Sequence, residues 1–145
     1  MSPVPELAYV QLFARAEDMP YAWRLLGGNN RETGRSAGTF PDVPAARAAV
    51  AQFQRELDSY HSRLDRLEHN QFTWLLLRGD TPVAASGRSY DRQVRCEQAL
   101  SSFLRAIRTA PISDTVVLSS TRRWQSRSAS AAVAEAAHKL GSGPR

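Results

Sequence analysis

The sequence predicts an α+β fold in which two copies of one unit, each a strand pair followed by an amphipathic helix, build a common antiparallel sheet. Three observations lead there. The first is internal similarity, which marks duplicated architectures. Trp23-Arg24-Leu25-Leu26 and Trp74-Leu75-Leu76-Leu77 align at an offset of 51, and Gly28 and Gly79 keep it. From there the offset is 50, and Ser36, Thr39, Phe40, Ala49, Phe53 and Arg55 match Ser86, Ser89, Tyr90, Ala99, Phe103 and Arg105. The slip falls between Gly-Asn-Asn in one copy and Gly-Asp-Thr-Pro in the other, turn residues that tolerate length changes. The second is that each copy opens with aromatic and aliphatic residues running into a glycine turn, a hairpin signal. The third is that each then shows apolar residues three and four apart, the period of a half-buried helix.

Taken in order, Leu7 to Phe13 reads as a leading strand. Tyr21 to Leu26 and Arg31 to Ser36 form the first hairpin. Asp42 is placed to cap the first helix, with Pro44 in its first turn. Val43, Ala46, Val50, Phe53 and Leu57 share its apolar face, and the spacing continues through Tyr60, Leu64 and Leu67. On that spacing the helix runs on to about Leu67. In the second copy Phe72 to Leu77 and Pro82 to Ser86 form the hairpin, and Pro82 suits a strand's first residue because it need not donate there. Cys96, Ala99, Leu100, Phe103 and Ile107 line the second helix, which Pro111 ends. Val116 to Leu118 is a further short strand. The two helices are the available cover for one apolar face of the sheet. Residues 1–118 are therefore expected as one pseudo-twofold domain, with repeats of about 8–67 and 68–118. Residues 119–145 form a basic tail. In it Ala129, Ala132, Val133, Ala136, Ala137 and Leu140 make a narrow helical stripe over 129–140, and Gly141 stops it.

The 145 residues, 42% hydrophobic and 23% charged, are enough for one domain that folds without metal or disulfide. The single cysteine, Cys96, excludes an internal disulfide and fits a reducing compartment. No run approaches the roughly 20 apolar residues that span a bilayer, and no signal peptide is recognised, so a cytoplasmic protein without membrane contact is expected. Of the net charge of +5, residues 119–145 carry +4. The balanced body makes the high overall pI weak support for nucleic-acid binding.

The matched positions resemble a short motif of the YegP-like family of small bacterial proteins. That motif runs aromatic-x-aromatic-x-Leu, a Gly/Asn turn, a strand ending in Ser, an aromatic four residues later, then a helix. Here it reads Tyr21-Ala22-Trp23-Arg24-Leu25, Gly28-Asn29, Ser36 and Phe40, then Phe72-Thr73-Trp74-Leu75-Leu76, Gly79-Asp80, Ser86 and Tyr90. The resemblance covers roughly residues 8–118. It implies an antiparallel sheet assembled from both copies with helices on one side, and it brings no catalytic residue. It also implies a further strand near Arg63 to Glu68, where the helical spacing argues otherwise. Helix and strand both stand as readings of that segment.

Candidate chemistry is sparse. Gly28 to Ser36 imitates a phosphate-binding loop, but it has one residue too many between the glycines and Arg in place of Lys, and Pro41 follows where a helix should run. A hairpin turn explains it better. Ser36 and Ser86 lack a histidine at equivalent positions, so strand-end hydrogen bonding outweighs nucleophilic catalysis. His61, His69 and His138 have no ligand spacing, and His61 and Asp65 read as a surface pair on the first helix. Cys96 reads as a small buried hydrophobe. Trp23 and Trp74 are stacking platforms if exposed on the open sheet face, but core packing is the favoured reading for large aromatics. Phe40, Tyr90, Phe53 and Phe103 are read as structural. Arg122, Arg123, Trp124 and Arg127 combine positive charge with an aromatic, which suits phosphate contact and base stacking. The competing reading is a linker whose Trp anchors the tail helix to the body. No cofactor and no metal are expected. The leading expectation is a non-enzymatic binding or scaffold protein with a protein partner or self-association. Nucleic-acid binding through the tail is the alternative.

Overall fold

Two aromatic hairpins meet back to back and set the plan of the molecule. The computed structural model describes residues 8–14 and 20–118. In chain order these form β1 (Tyr9–Ala14), β2 (Tyr21–Leu26), β3 (Glu32–Ser36), α1 (Val43–Arg55), β4 (His61–Leu67), β5 (Gln71–Arg78), β6 (Thr81–Ser86), α2 (Gln93–Ile107) and β7 (Ile112–Leu118). The strands make one sheet in the order β4-β5-β6-β3-β2-β1-β7.

The sheet is mixed, which corrects the antiparallel expectation. Five of its six strand pairs are antiparallel, and β1 pairs with β7 in parallel. The cause lies in the crossovers. Each helix carries the chain from the middle of the sheet to an edge, and the next strand arrives running opposite to the one before the helix. After α1 that edge is β5, and β4 meets it antiparallel. After α2 the equivalent place beside β2 is already filled by β1. The chain lands one strand further out, beside a strand of its own direction, as a helical crossover permits.

The extended first helix is corrected as well. α1 ends at Arg55, a short 3₁₀ turn occupies Leu57–Ser59, and residues 61–67 pair with β5 as β4. Tyr60 and Leu64 misled because a spacing of four fits both periods. In a strand they share one face, and both pack on the core. Leu67 breaks the helical reading by falling on the opposite face. His61 and Asp65 therefore lie on β4, and Asp65 accepts from Arg63 at 2.8 Å.

Both helices pack on one face of the sheet. Trp23, Leu25, Trp74 and Leu76 meet Val50 and Phe53 of α1 and Leu100 and Phe103 of α2 in one cluster. Trp23 and Phe53 have ring centroids 4.9 Å apart, and Trp74 and Phe103 4.7 Å apart. The start of α1 is capped as expected, since Asp42 Oδ1 accepts from the Ala45 N–H at 2.8 Å. Its counterpart before α2 is Arg92, which has no capping hydrogen bond.

Candidate functional site

The matched residues occupy matched places. The Trp23 N–H donates to Ser36 Oγ at 3.2 Å, and the Trp74 N–H donates to Ser86 Oγ at 3.3 Å. Tyr21 and Phe40 exchange backbone hydrogen bonds at 2.7 and 2.8 Å, as do Phe72 and Tyr90. Each serine thus closes its strand onto the aromatic strand beside it. Ser36 Oγ also donates to the Gly38 carbonyl at 2.8 Å, so its hydroxyl is engaged on both sides by backbone. Trp23 and Trp74 are buried between sheet and helices, which removes the stacking-platform reading. Glu32–Ser36 is strand, so the Gly28 to Ser36 segment is a hairpin and not a phosphate loop. Cys96 is buried, and burial pushes its thiol up to about 11. Among the described residues no His, Cys, Asp and Glu group could hold a metal ion. Arg122, Arg123, Trp124, Arg127, His138 and the 129–140 stripe lie outside the described residues.

Two crevices open where the return strand of one half meets the serine–aromatic loop of the other. The first is small, about 220 Å³, and its walls include Trp23, Phe40, Phe53, Tyr60, Pro82 and Val83. The Phe53 and Tyr60 rings stack at 5.1 Å. Arg78 stands at the same crevice and is held by Glu56 at 2.9 Å. That carboxyl is drawn below its ordinary range, first by the Gln52 hydrogen bond and also by Arg78.

The second crevice, about 590 Å³, is lined by Arg31, Glu32, Thr33, Gln71, Arg88, Ser89, Tyr90, Asp91 and Arg95. It is the first crevice with the halves exchanged. Tyr90 stands for Phe40, Arg88 for Gly38, and Glu32 and Thr33 for Pro82 and Val83. Its chemistry is opposite. Glu32 is committed to Arg35 at 2.6 Å and to Arg24 at 3.5 Å. Arg31, Arg88 and Arg95 make no ion pair among the described residues, and the Arg88 guanidinium sits 5.7 Å from the Tyr90 ring centroid. Burial raises the Tyr90 phenol, while Arg88 and Arg31 pull it the other way. Three guanidiniums thus face one opening with Asp91 as the carboxylate left over. Sequence reading missed this site because Arg31 belongs to one half and Arg88 and Arg95 to the other. The available signal was that Gly38 and Ala45 are replaced by arginine at 88 and 95 in the second copy.

Solved structures share this architecture. The structure of YegP from E. coli, a protein of unknown function, matches with a TM-score of 0.60 at 14% identity, covering 79% of this chain and 97% of that one. The fold is YegP-like. The UPF0339 protein SO3888 from Shewanella oneidensis matches with a TM-score of 0.60 at 12% identity, covering 75% of this chain and 92% of that one. No family model and no curated protein matches the sequence. The further strand that the resemblance implied near Arg63 to Glu68 is present as β4, His61–Leu67. No described helix is long and apolar enough to cross a membrane.

Proposed function

We propose that the protein is a non-enzymatic binding module, built from two copies of one strand–strand–helix unit, that grips an anionic group of a partner protein in the arginine crevice. The observation that carries this reading is the convergence of Arg31, Arg88 and Arg95 on one opening, where Glu32 is held by Arg35 and Arg24 and Asp91 is the one other carboxylate of the lining. Guanidinium forks suit carboxylate and phosphate geometry. The duplication explains how it arose. One framework supplies two equivalent crevices, one kept aromatic and one made cationic. The serines support the absence of catalysis, because their hydroxyls serve the backbone.

The test is a titration of the full chain with inorganic phosphate and with an acidic peptide, followed by amide NMR shifts at low and high salt. Shifts centred on residues 31, 88–91 and 95 that weaken at high salt are expected. Arg88→Ala with Arg95→Ala should weaken binding at least about tenfold, as for loss of charge-assisted hydrogen bonds. No shifts there, or shifts indifferent to those substitutions, would sink the reading. Nucleic-acid binding is the second reading, favoured by Arg122, Arg123, Trp124 and Arg127 in the sequence. Labelled DNA and RNA should then lose affinity in Arg122→Ala/Arg123→Ala/Trp124→Ala while the phosphate shifts at the crevice persist.

A further inference from the structure

Among the described residues β4 borders the sheet, with β5 on one side and no described strand on the other. A border strand is a template for pairing, and proteins guard it with prolines, bulges, short strands or charges. β4 has no proline and no bulge. It runs for 7 residues, His61–Leu67, and pairs with β5 along its whole length without a register shift. The β1–β7, β2–β3 and β5–β6 pairs each contain such a shift. His61, Ser62, Arg63 and Arg66 are exposed, and no residue of the strand is buried. Its charges are of both signs. Arg63 donates to both carboxylate oxygens of Asp65, at 2.8 and 3.1 Å. These two share one face of the sheet, opposite Leu75 and Thr73 of β5. Leu64 lies between them on the other face and packs on the core.

Strand geometry limits how β4 can pair with a second copy of itself. In an antiparallel pair, two opposite residues both turn their backbone groups toward each other or both turn them away. That direction alternates along a strand, so for two identical strands the twofold axis must fall on a residue. Near the middle of β4 the axis can fall on Arg63, Leu64 or Asp65. An axis at Arg63 sets two arginines against each other, and an axis at Asp65 sets two aspartates, both repulsive. The axis at Leu64 alone pairs all 7 residues. It sets Arg63 against Asp65 on both sides of the axis, Ser62 against Arg66, His61 against Leu67 and Leu64 against Leu64. The four central charges then alternate in sign around a square, each arginine beside its own Asp65 and across from the other copy's.

We propose that two copies of this chain pair antiparallel along β4 about an axis at Leu64, so that the sheet of one continues into the other. The pairing adds about six to eight backbone hydrogen bonds, depending on which residues of β4 turn outward. The axis stands upright from the sheet, so the helices of both copies lie on the same side of it. The interface is self-complementary and occupies the β4 border of both copies, so assembly along it stops at two chains. No residue of β4 lines the arginine crevice, and the pairing stands without that reading.

Light scattering on the full chain across a concentration series tests this. The mass is expected to rise from 16.1 kDa to twice that value with concentration, and to fall again at high salt. Arg63→Asp and Asp65→Arg each set like charges against each other in this register. Each is expected to raise the dissociation constant at least about tenfold. An equimolar mixture of the two variants is expected to pair within about threefold of the wild type, because the aspartates of one then face the arginines of the other. Hydrogen exchange on the wild type needs no variant. Amides of β4 are expected to slow at least about fivefold between dilute and dimeric samples, while those of β7 do not. A chain that stays monomeric up to about 1 mM would overturn the proposal and leave the border to a strand of another protein. A dimer in which both reversals are silent would overturn it, as would folded variants whose mixture does not pair. Exchange in β4 that ignores concentration, or growth beyond two chains, would do the same.

Discussion

Arg35 and Ala85, 50 residues apart in the sequence, stand opposite each other in antiparallel register where β3 meets β6. On the proposed duplication they are one position seen twice, and the pseudo-twofold axis passes between them. The difference between them must be absorbed locally, and Glu32 does so by accepting from Arg35 Nε at 2.6 Å. Glu32→Ala should therefore destabilise by about 1.5–3 kcal/mol, because it removes a short charge-assisted hydrogen bond from a shielded guanidinium. Adding Arg35→Ala, which restores the symmetry, should recover part of the loss. Urea unfolding of both variants measures this, and strictly additive losses would deny the coupling.

The two serines should behave alike. Ser36→Ala and Ser86→Ala each leave a tryptophan N–H without its acceptor in a buried strand. A loss of about 1–3 kcal/mol is expected from each, the range for an orphaned buried donor. Similar values at the two positions are what matched roles require. A near-zero loss at either one would show that the Trp N–H finds another acceptor.

These serines also show what was legible in the sequence. Repeated Trp, Ser, aromatic and Phe positions gave both hairpins and both helix faces, because each matched residue makes a contact the sheet cannot do without. β4 was less readable for a physical reason. It is an edge strand in which no residue is fully buried, so its sequence His-Ser-Arg-Leu-Asp-Arg-Leu carries little alternation, and Tyr60 and Leu64 sit four apart. The parallel β1–β7 pair was not readable at all, because no local pattern records which edge a crossover reaches. The arginine crevice was hidden for the same kind of reason. Its three arginines converge only when the halves are docked.

Close approach at the centre of the sheet makes Gly34 irreplaceable. A Cβ built there would lie 2.5 Å from Phe103 and 2.9 Å from Trp74. Both rings are buried and cannot retreat freely. Gly34→Ala should cost about 1–3 kcal/mol by overpacking. Gly38→Ala, where a Cβ meets nothing within 4 Å, is the control and should move the melting temperature little. Phe103→Leu in the Gly34→Ala background should return part of the stability by vacating the clash.

Cys96 gives stability a slope at alkaline pH. Burial pushes its thiol from an ordinary value of 9.0 up to about 11. The unfolded chain therefore ionises first. Stability is complete below about pH 9 and falls as pH rises toward 11, by up to about 3 kcal/mol for a two-unit displacement. Cys96→Ala removes that contribution, so the difference between the two proteins should narrow across this window. Tyr90 does not cancel in the comparison, because the Cys96 thiolate adds to what burial does in raising its phenol, and that coupling is lost with the thiol. Parallel curves from pH 8 to 11 would show that the thiol is not shielded.

The helix starts separate stability from binding at a single position. Asp42 caps α1, and the matched Arg92 leaves α2 without a side-chain cap although its backbone is already extended, at φ −137° and ψ 142°. Arg92→Asp should supply the missing acceptor and stabilise the protein by about 1 kcal/mol, while Asp42→Ala should cost a similar amount. The same substitution brings a carboxylate beside the arginine crevice, next to Asp91, and removes a nearby cation. Affinity for phosphate should fall at least several-fold as stability rises, since like charge near an anion site is repulsive. Chemical denaturation and phosphate titration on the one variant measure both effects. A gain in stability with unchanged phosphate affinity would place the anion site elsewhere. A loss of both would mean that Arg92 holds the loop in a way its extended backbone does not reveal. Opposite movements of the two quantities are expected if the second copy gave up its cap for its charge.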